Sequence, residues 1–160
     1  MNLEEVKAFA IPRDIVQQTE RALQESGSEG YELFVLWSGV IELHTFRIRT
    51  AHVPKQKSYR TDDGLLVRVE GPALHELNVW LFENQEILGI QVHAHPTDAF
   101  HSQTDNTYPI VTTLGGLSIV AADFAQDGLL NAASAAYRLT RKGWRSIRRP
   151  DRSRLIEVVD

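Results

Sequence analysis

The feature that most constrains the fold is an apolar run in the middle of the chain, Ile87–His93. Its residues do not alternate between polar and apolar, and this pattern is typical of a strand that is buried on both faces. A second run of this kind, Leu117–Ala121, follows Gly115-Gly116. Because both faces of such strands have to be covered, the sequence predicts a mixed α/β domain with a central sheet and about three helices.

Shorter patterns predict the remaining elements. Apolar residues at helical spacing indicate helices, and β-rich runs indicate strands. The turn of the first hairpin is expected near Ser38-Gly39, where glycine interrupts the β-rich run. The predicted elements are helices at about residues 12–25 and 74–81, a hairpin within 31–53, a polar loop at 54–64, and strands at 65–69, 136–147 and 155–159.

Composition limits the classes of function. The 160 residues are enough for a single domain with a proper core, spanning residues 1–160. A net charge of -4 argues against nucleic acid as the main partner. The chain has no cysteine, so any transition metal has to be held by histidine and carboxylate. No apolar run is long enough for a membrane span, and the N-terminus does not resemble a signal peptide, so a cytoplasmic protein is expected.

A compact group of metal-binding residue types follows the first buried strand. His93 and His95 are two residues apart, so on a strand they point to the same face and are spaced to hold one ion. Ser102 and Asp105 come after a short loop and are expected at the start of a helix. Two imidazoles and one carboxylate leave a fourth position open, as a catalytic zinc site requires. With Glu32 as a base and Ser102 as a hydroxyl donor, the set is suited to metal-assisted hydrolysis.

Taken together, these residues resemble the JAMM (MPN-type) metalloprotease family. That family has a glutamate on its first strand, then His-x-His-Pro, a loop and Ser-x-x-Asp, and residues 32–39, 93–96 and 102–105 are similar to these parts. The resemblance covers about residues 12–125. The segments Ala99–Asp105 and Gly116–Val120 are similar to the small bacterial branch found with ubiquitin-like conjugation systems. The resemblance implies the MPN (cytidine-deaminase-like) three-layer fold.

The resemblance also implies an activity and a role for each residue. The chain would be a zinc-dependent isopeptidase or peptidase, with one Zn2+ held by His93, His95 and Asp105. Glu32 would take a proton from the metal-activated water and pass it to the leaving amine, while Ser102 would donate a hydrogen bond to the oxyanion. The implied substrate is a bacterial ubiquitin-like protein or its conjugates. E1-like and E2-like enzymes of the same system are the expected partners, in a setting of antiviral defence.

Several alternatives stay open at this point. The loop between His95 and Ser102 is one residue shorter than is usual in the family, so Asp98 or His101 could replace or supplement a ligand. Glu32 could instead be a solvated residue at a strand edge, and Ser102 could serve only as a helix cap. The whole chain could be a non-catalytic MPN-type scaffold, or a metal amidase that acts on a small carrier-protein adduct.

The other chemically notable residues are expected to be structural or exposed. His44, His52 and His75 have no partners at ligand spacing, and Trp37 and Trp80 are expected in the core. Basic residues are concentrated near the C-terminus and predict a solvated edge, or alternatively a docking surface for an acidic partner. These residues are Arg138, Arg141, Lys142, Arg145, Arg148, Arg149, Arg152 and Arg154.

Overall fold

The structure, a computed structural model, describes residues 2–62, 64–100 and 110–160. The helices in these ranges are α1 (Arg13–Ser28), α2 (Gly71–Asn84) and α3 (Arg149–Leu155), and a short 3-10 turn lies at Asp123–Ala125. The strands are β1 (Ala8–Pro12), β2 (Val35–Glu42), β3 (Thr45–His52), β4 (Gln56–Thr61), β5 (Gly64–Val69), β6 (Ile87–Ala94), β7 (Leu117–Ala121), β8 (Ala135–Thr140), β9 (Gly143–Ser146) and β10 (Ile156–Val159).

One mixed sheet contains all of these strands except β4 and β5. Its strand order is β10-β1-β3-β2-β6-β7-β8-β9. The pairs β10–β1, β1–β3 and β6–β7 are parallel, and the other neighbours are antiparallel. Strands β4 and β5 form a separate antiparallel hairpin. The buried strand predicted at Ile87–His93 corresponds to β6, and it lies inside the sheet, between β2 and β7.

Helices cover both faces of the central sheet. Trp37 on β2 is fully buried, and its Nε1 donates a hydrogen bond of 2.9 Å to Oγ1 of Thr19 on α1. Leu36, which points to the opposite face, packs against Leu77 and Leu81 of α2. The prediction of a mixed α/β fold with covered sheet faces is therefore confirmed. Within the described ranges, no helix is long and apolar enough to cross a membrane.

The predicted position of the first hairpin turn is wrong. Strand β2 continues through Ser38-Gly39, where its register against β3 and β6 shifts as in a β-bulge. A Cβ added to Gly39 would lie 1.9 Å from the carbonyl oxygen of Arg47, so this glycine allows two backbones to approach closely. The turn itself falls at Leu43-His44, where Leu43 has a φ of 57°.

Three further elements differ from the prediction, and one of them is residues 136–147, which form two strands, β8 and β9, instead of one. Residues 54–64 are not a loop, because Gln56–Thr61 pairs with Gly64–Val69. Polar residues occupy both faces of this strand, so the usual apolar alternation is missing. Strand β1 was not predicted either. It is only five residues long, and because Phe9–Ile11 are all buried, it shows no alternation of polar and apolar residues. The predicted strands at 65–69 and 155–159 and the two long helices are confirmed.

Candidate metal centre

Two histidines meet at the C-terminal end of β6. His93 pairs in register with Val120 of the parallel strand β7, and only 1% of its surface is exposed. His95 follows the end of the strand, and its backbone N–H donates to the carbonyl oxygen of Ala121 at 2.9 Å. The Nε2 atoms of the two rings are 3.3 Å apart. The prediction that these two side chains project to the same face of the strand is therefore confirmed.

This separation fits a shared metal ion. Zinc is bound by imidazole nitrogen at roughly 2.0–2.1 Å with tetrahedral angles, so two such nitrogens lie about 3.3–3.4 Å apart. The distance between Nε2 of His93 and Nε2 of His95 agrees with that value. Two nitrogen donors without sulfur also suit a hydrolytic metal site, which keeps a position open for substrate.

Glu32 lies next to the ring of His95. Its Oε1 is 3.5 Å from Nδ1 of His95, and the two side chains are only 8% and 12% exposed. A carboxylate at Nδ1 favours the tautomer with its proton on that atom, which leaves the Nε2 lone pair for a metal. Glu32 is therefore buried, and the alternative of a solvated strand-edge residue is wrong.

The sequence predicted Glu32 on a strand, and this is wrong. Glu32 lies in the extended segment that precedes β2. Hairpin β4–β5 holds this segment. The side chain of Gln56 accepts from the backbone N–H of Phe34 at 2.7 Å and donates to its carbonyl oxygen at 3.0 Å. Ser58 donates to the carbonyl oxygen of Glu32 at 3.1 Å. Gln56 and Ser58 were not predicted as site residues, although their spacing of two residues is typical of one face of a strand.

Aromatic rings flank the two imidazoles. The buried ring of Phe34 lies 4.8 Å from the ring of His93, and the ring of Phe100 lies 4.6 Å from that of His95. Phe100 is 47% exposed, so it offers an apolar surface to solvent beside the histidines. These rings restrict the orientation of the imidazoles and give the site apolar walls.

The remaining predicted site residues divide into two groups. Ser102, Asp105 and the alternative ligand His101 lie outside the described residues. Asp98 is described and exposed. In residues 2–62, 64–100 and 110–160, no three His, Asp or Glu side chains come together in a way that could hold a metal ion, so Asp98 does not join the histidine pair there.

A second polar group, which sequence analysis missed, lies at the bulge of β2. The hydroxyl of Ser38 is 2.7 Å from Nε2 of His52 and donates to Glu86 at 2.7 Å. Burial lowers the pKa of His52, and the nearby Glu86 carboxylate opposes this effect in part. His52 also packs edge-on against Trp80. His52 is therefore structural, as predicted.

The basic C-terminal stretch is partly internal. Arg138 donates to the carbonyl oxygens of Leu3 and Val6 at 2.9 and 2.8 Å, and burial lowers its pKa. Arg152 donates to the carbonyl oxygen of Ser134 at 2.7 Å. The expectation of a solvated edge is wrong for these two arginines, which connect distant segments of backbone.

Known proteins resemble the chain both in sequence and in fold. It is 40% identical over 158 residues to a protein of Sinorhizobium fredii (strain NBRC 101917 / NGR234) named "Probable metalloprotease y4jG", and the match covers 98% of each chain. The solution structure of protein DSY2949 from Desulfitobacterium hafniense has a similar fold, with a TM-score of 0.63 over 95% of this chain and 93% of that chain; at 10% identity this likeness concerns the fold alone. No protein-family model matches. The identity of 40% over nearly the full length of both chains shows that the chain belongs to the family of this probable metalloprotease.

Proposed function

We propose that the chain is a zinc-dependent peptidase or isopeptidase of the JAMM type, which hydrolyses the bond after the C-terminus of a bacterial ubiquitin-like protein. The observation that carries this proposal is the 3.3 Å separation of Nε2 of His93 and Nε2 of His95 beside the buried Glu32. The relative's name, a probable metalloprotease, supports the metal-dependent class of activity. The JAMM type, zinc as the metal and the ubiquitin-like substrate rest on the resemblance of the motif residues.

Each residue has a defined task in this proposal. When bound, zinc supplies a Lewis acid that polarises a carbonyl group and lowers the pKa of water. His93, His95 and Asp105 would hold the ion. Glu32 would orient His95 through Oε1, and it would carry a proton from water to the leaving amine. Ser102 donates a hydrogen bond to the oxyanion.

The surroundings of the site suit an extended peptide. The ring of Phe100 is partly exposed beside His95, and hairpin β4–β5 borders the segment that contains Glu32. A flexible C-terminal tail can therefore lie along an apolar wall next to the proposed proton carrier. E1-like and E2-like partners, a cytoplasmic location and a part in antiviral defence follow from the resemblance and stay predictions.

The test combines metal analysis with cleavage. The purified full chain is expected to bind one zinc per molecule and to cleave at least one member of a panel of bacterial ubiquitin-like proteins fused at the C-terminus to a reporter. A chelator should stop cleavage, and added zinc should restore it. His93→Ala should lose both zinc and cleavage, whereas the exposed His75→Ala is the matched control and should retain both.

The outcomes separate the proposal from its rivals. A chain that binds no zinc contradicts the metal centre. A chain that binds zinc but cleaves no member of the panel favours a non-catalytic scaffold. Hydrolysis of small amides on a carrier protein, without cleavage of any fusion, favours the metal amidase.

A further inference from the structure

The segment that contains Glu32 continues the line of strand β2 past its first residue. If the antiparallel register of β2 and β6 is extended in this direction, Phe34 comes opposite His93. Two residues further on, Glu32 comes opposite His95. The contacts agree with this register, because the rings of Phe34 and His93 are 4.8 Å apart and Oε1 of Glu32 is 3.5 Å from Nδ1 of His95. One short segment therefore carries a neighbour for each of the two histidines.

Strand β3 stops pairing with β2 before it reaches this segment. The last pair is Leu36 with His52, and an extended register would bring Pro54 opposite Phe34. Proline has no N–H, so Pro54 cannot donate to the carbonyl oxygen of Phe34 as a strand partner would. The backbone groups on this side of the segment therefore need other hydrogen-bond partners.

Two side chains of β4 supply these partners. Oε1 of Gln56 accepts from the N–H of Phe34 at 2.7 Å, and its Nε2 donates to the carbonyl oxygens of Phe34 and Pro54 at 3.0 and 2.9 Å. Oγ of Ser58 donates to the carbonyl oxygen of Glu32 at 3.1 Å. These side chains take the place of a paired strand, and one of their bonds goes to the backbone of Glu32 itself.

The contact between Glu32 and His95 is sensitive to the position of this backbone. At 3.5 Å, Oε1 of Glu32 and Nδ1 of His95 are at the outer limit of hydrogen-bond distance. A small outward shift of the segment is therefore enough to separate the carboxylate from the imidazole.

We propose that Gln56 and Ser58 are positioning residues of the metal centre: they hold the backbone of residues 32–34 and thereby place the Glu32 carboxylate against His95. This inference deepens the proposed function and rests on it, since Glu32 orients His95 there. The rival explanation is that the two side chains only attach the hairpin to the rest of the fold. The explanations differ in whether the effect of Gln56 on zinc affinity depends on Glu32.

A double-mutant cycle measures this dependence. Zinc affinity is determined by competition with a chromogenic chelator for the full chain, for Gln56→Met, for Glu32→Ala and for the double variant. Gln56→Met is expected to weaken zinc binding about fivefold, which is less than the loss of about 10-fold expected when the carboxylate is removed altogether. When Glu32 is already absent, Gln56→Met should change the affinity less than about twofold.

The matched control lies on the same strand. Lys57 is the residue between the two positioning residues, on the other face of the hairpin, where it is exposed and pairs with Glu70 at 3.1 Å. Lys57→Met introduces the same side chain as Gln56→Met and should bind zinc as the unmodified chain does. Ser58→Ala removes only the bond to the Glu32 carbonyl oxygen, so it provides the same cycle if Gln56→Met does not fold. Its expected loss is about twofold, and only while Glu32 is present.

A second measurement needs no zinc. Nitrogen NMR of the zinc-free chain, at a pH at which His95 is neutral, reports which ring nitrogen carries the proton. The carboxylate of Glu32 favours the proton on Nδ1. The population of that tautomer should fall about twofold or more in Gln56→Met, in the same direction as in Glu32→Ala, and it should not change in Lys57→Met.

The outcomes distinguish the inference from the proposed function. Equal losses of zinc affinity on Gln56→Met with and without Glu32 overturn the inference, as does a Gln56→Met chain that matches Lys57→Met in both measurements. If Glu32→Ala changes neither zinc affinity nor the tautomer, the orienting role of Glu32 and the inference are both wrong. If the unmodified chain binds no zinc, the proposed function is wrong, and the tautomer alone decides whether Gln56 places Glu32 against His95.

Discussion

Replacement of Glu32 separates two tasks that the proposal gives to one carboxylate. Oε1 of Glu32 lies 3.5 Å from Nδ1 of His95, and its side chain is 8% exposed. A carboxylate at this position holds the proton of His95 on Nδ1 and directs Nε2 towards His93. Loss of the carboxylate should therefore lower metal affinity as well as proton transfer.

The expected magnitude follows from the geometry. Removing the outer partner of a metal-binding histidine costs about 10–100-fold in affinity, which is about 1.4–2.7 kcal/mol. The distance from Glu32 to His95 is longer than the ~2.7–2.9 Å of a strong charged hydrogen bond, so the loss for Glu32→Ala should lie near the lower limit, at about 10-fold. Glu32→Gln keeps an oxygen acceptor of about half the strength, so about a threefold loss is expected. Both variants should lose cleavage, because neither carries a base.

Competition with a chromogenic zinc chelator measures the affinities, and thermal unfolding of the zinc-free chains shows whether the fold is intact. Glu42→Gln is the control, since Glu42 is half-exposed on β2 and pairs with Arg47. If Glu32→Ala binds zinc as tightly as the control while His95→Ala does not, the carboxylate does not orient His95. If Glu32→Gln retains full cleavage, Glu32 is not the proton carrier.

Three further predictions concern stability, measured by urea unfolding. Burial lowers the pKa of His52 below 6.5, so the imidazole binds a proton more readily in the unfolded chain than in the folded one. The free energy of unfolding should therefore fall as the pH drops below 6.5, and it should fall less in His52→Gln. Gly39→Ala should cost about 1–3 kcal/mol or more because its Cβ meets backbone at 1.9 Å, whereas Gly71→Ala, with open space around it, should be nearly neutral. Thr19→Val should cost about 1–3 kcal/mol, because it removes the acceptor of the buried Trp37 N–H. Equal effects of the two glycine substitutions, a neutral Thr19→Val or an unchanged pH dependence in His52→Gln would each contradict the corresponding argument.

The parts of the fold that the sequence predicts are those with a strong local pattern. Strand β6 reads as a buried strand because nearly every residue is apolar, and the shared direction of His93 and His95 follows from strand geometry alone. Helix α1 is likewise recognisable from the helical spacing of Ile15, Val16 and Leu23, all of which are buried. These inferences require no knowledge of distant residues.

The placement of Glu32 could not be predicted in the same way. The segment around it is held by Gln56 and Ser58, which are more than 20 residues away in the sequence, through bonds from side chain to backbone. No local pattern reports such contacts. The bulge at Gly39 is similar, because a glycine that allows close approach of two strands looks in sequence like a glycine in a turn.

The group of Ser38, His52 and Glu86 contains the residue types of a hydrolytic triad, and its geometry excludes that role. In a triad the histidine lies between the serine and the acid, and it takes the serine proton. Here the serine lies in the middle: Ser38 donates its one proton to Glu86, so His52 has to donate from Nε2. Ser38 is also fully buried, so a substrate carbonyl cannot reach it. Ser38→Ala should therefore lower the unfolding free energy by about 1–3 kcal/mol and leave cleavage by the metal centre unchanged, and a loss of cleavage in a folded Ser38→Ala chain would show that this assignment is wrong.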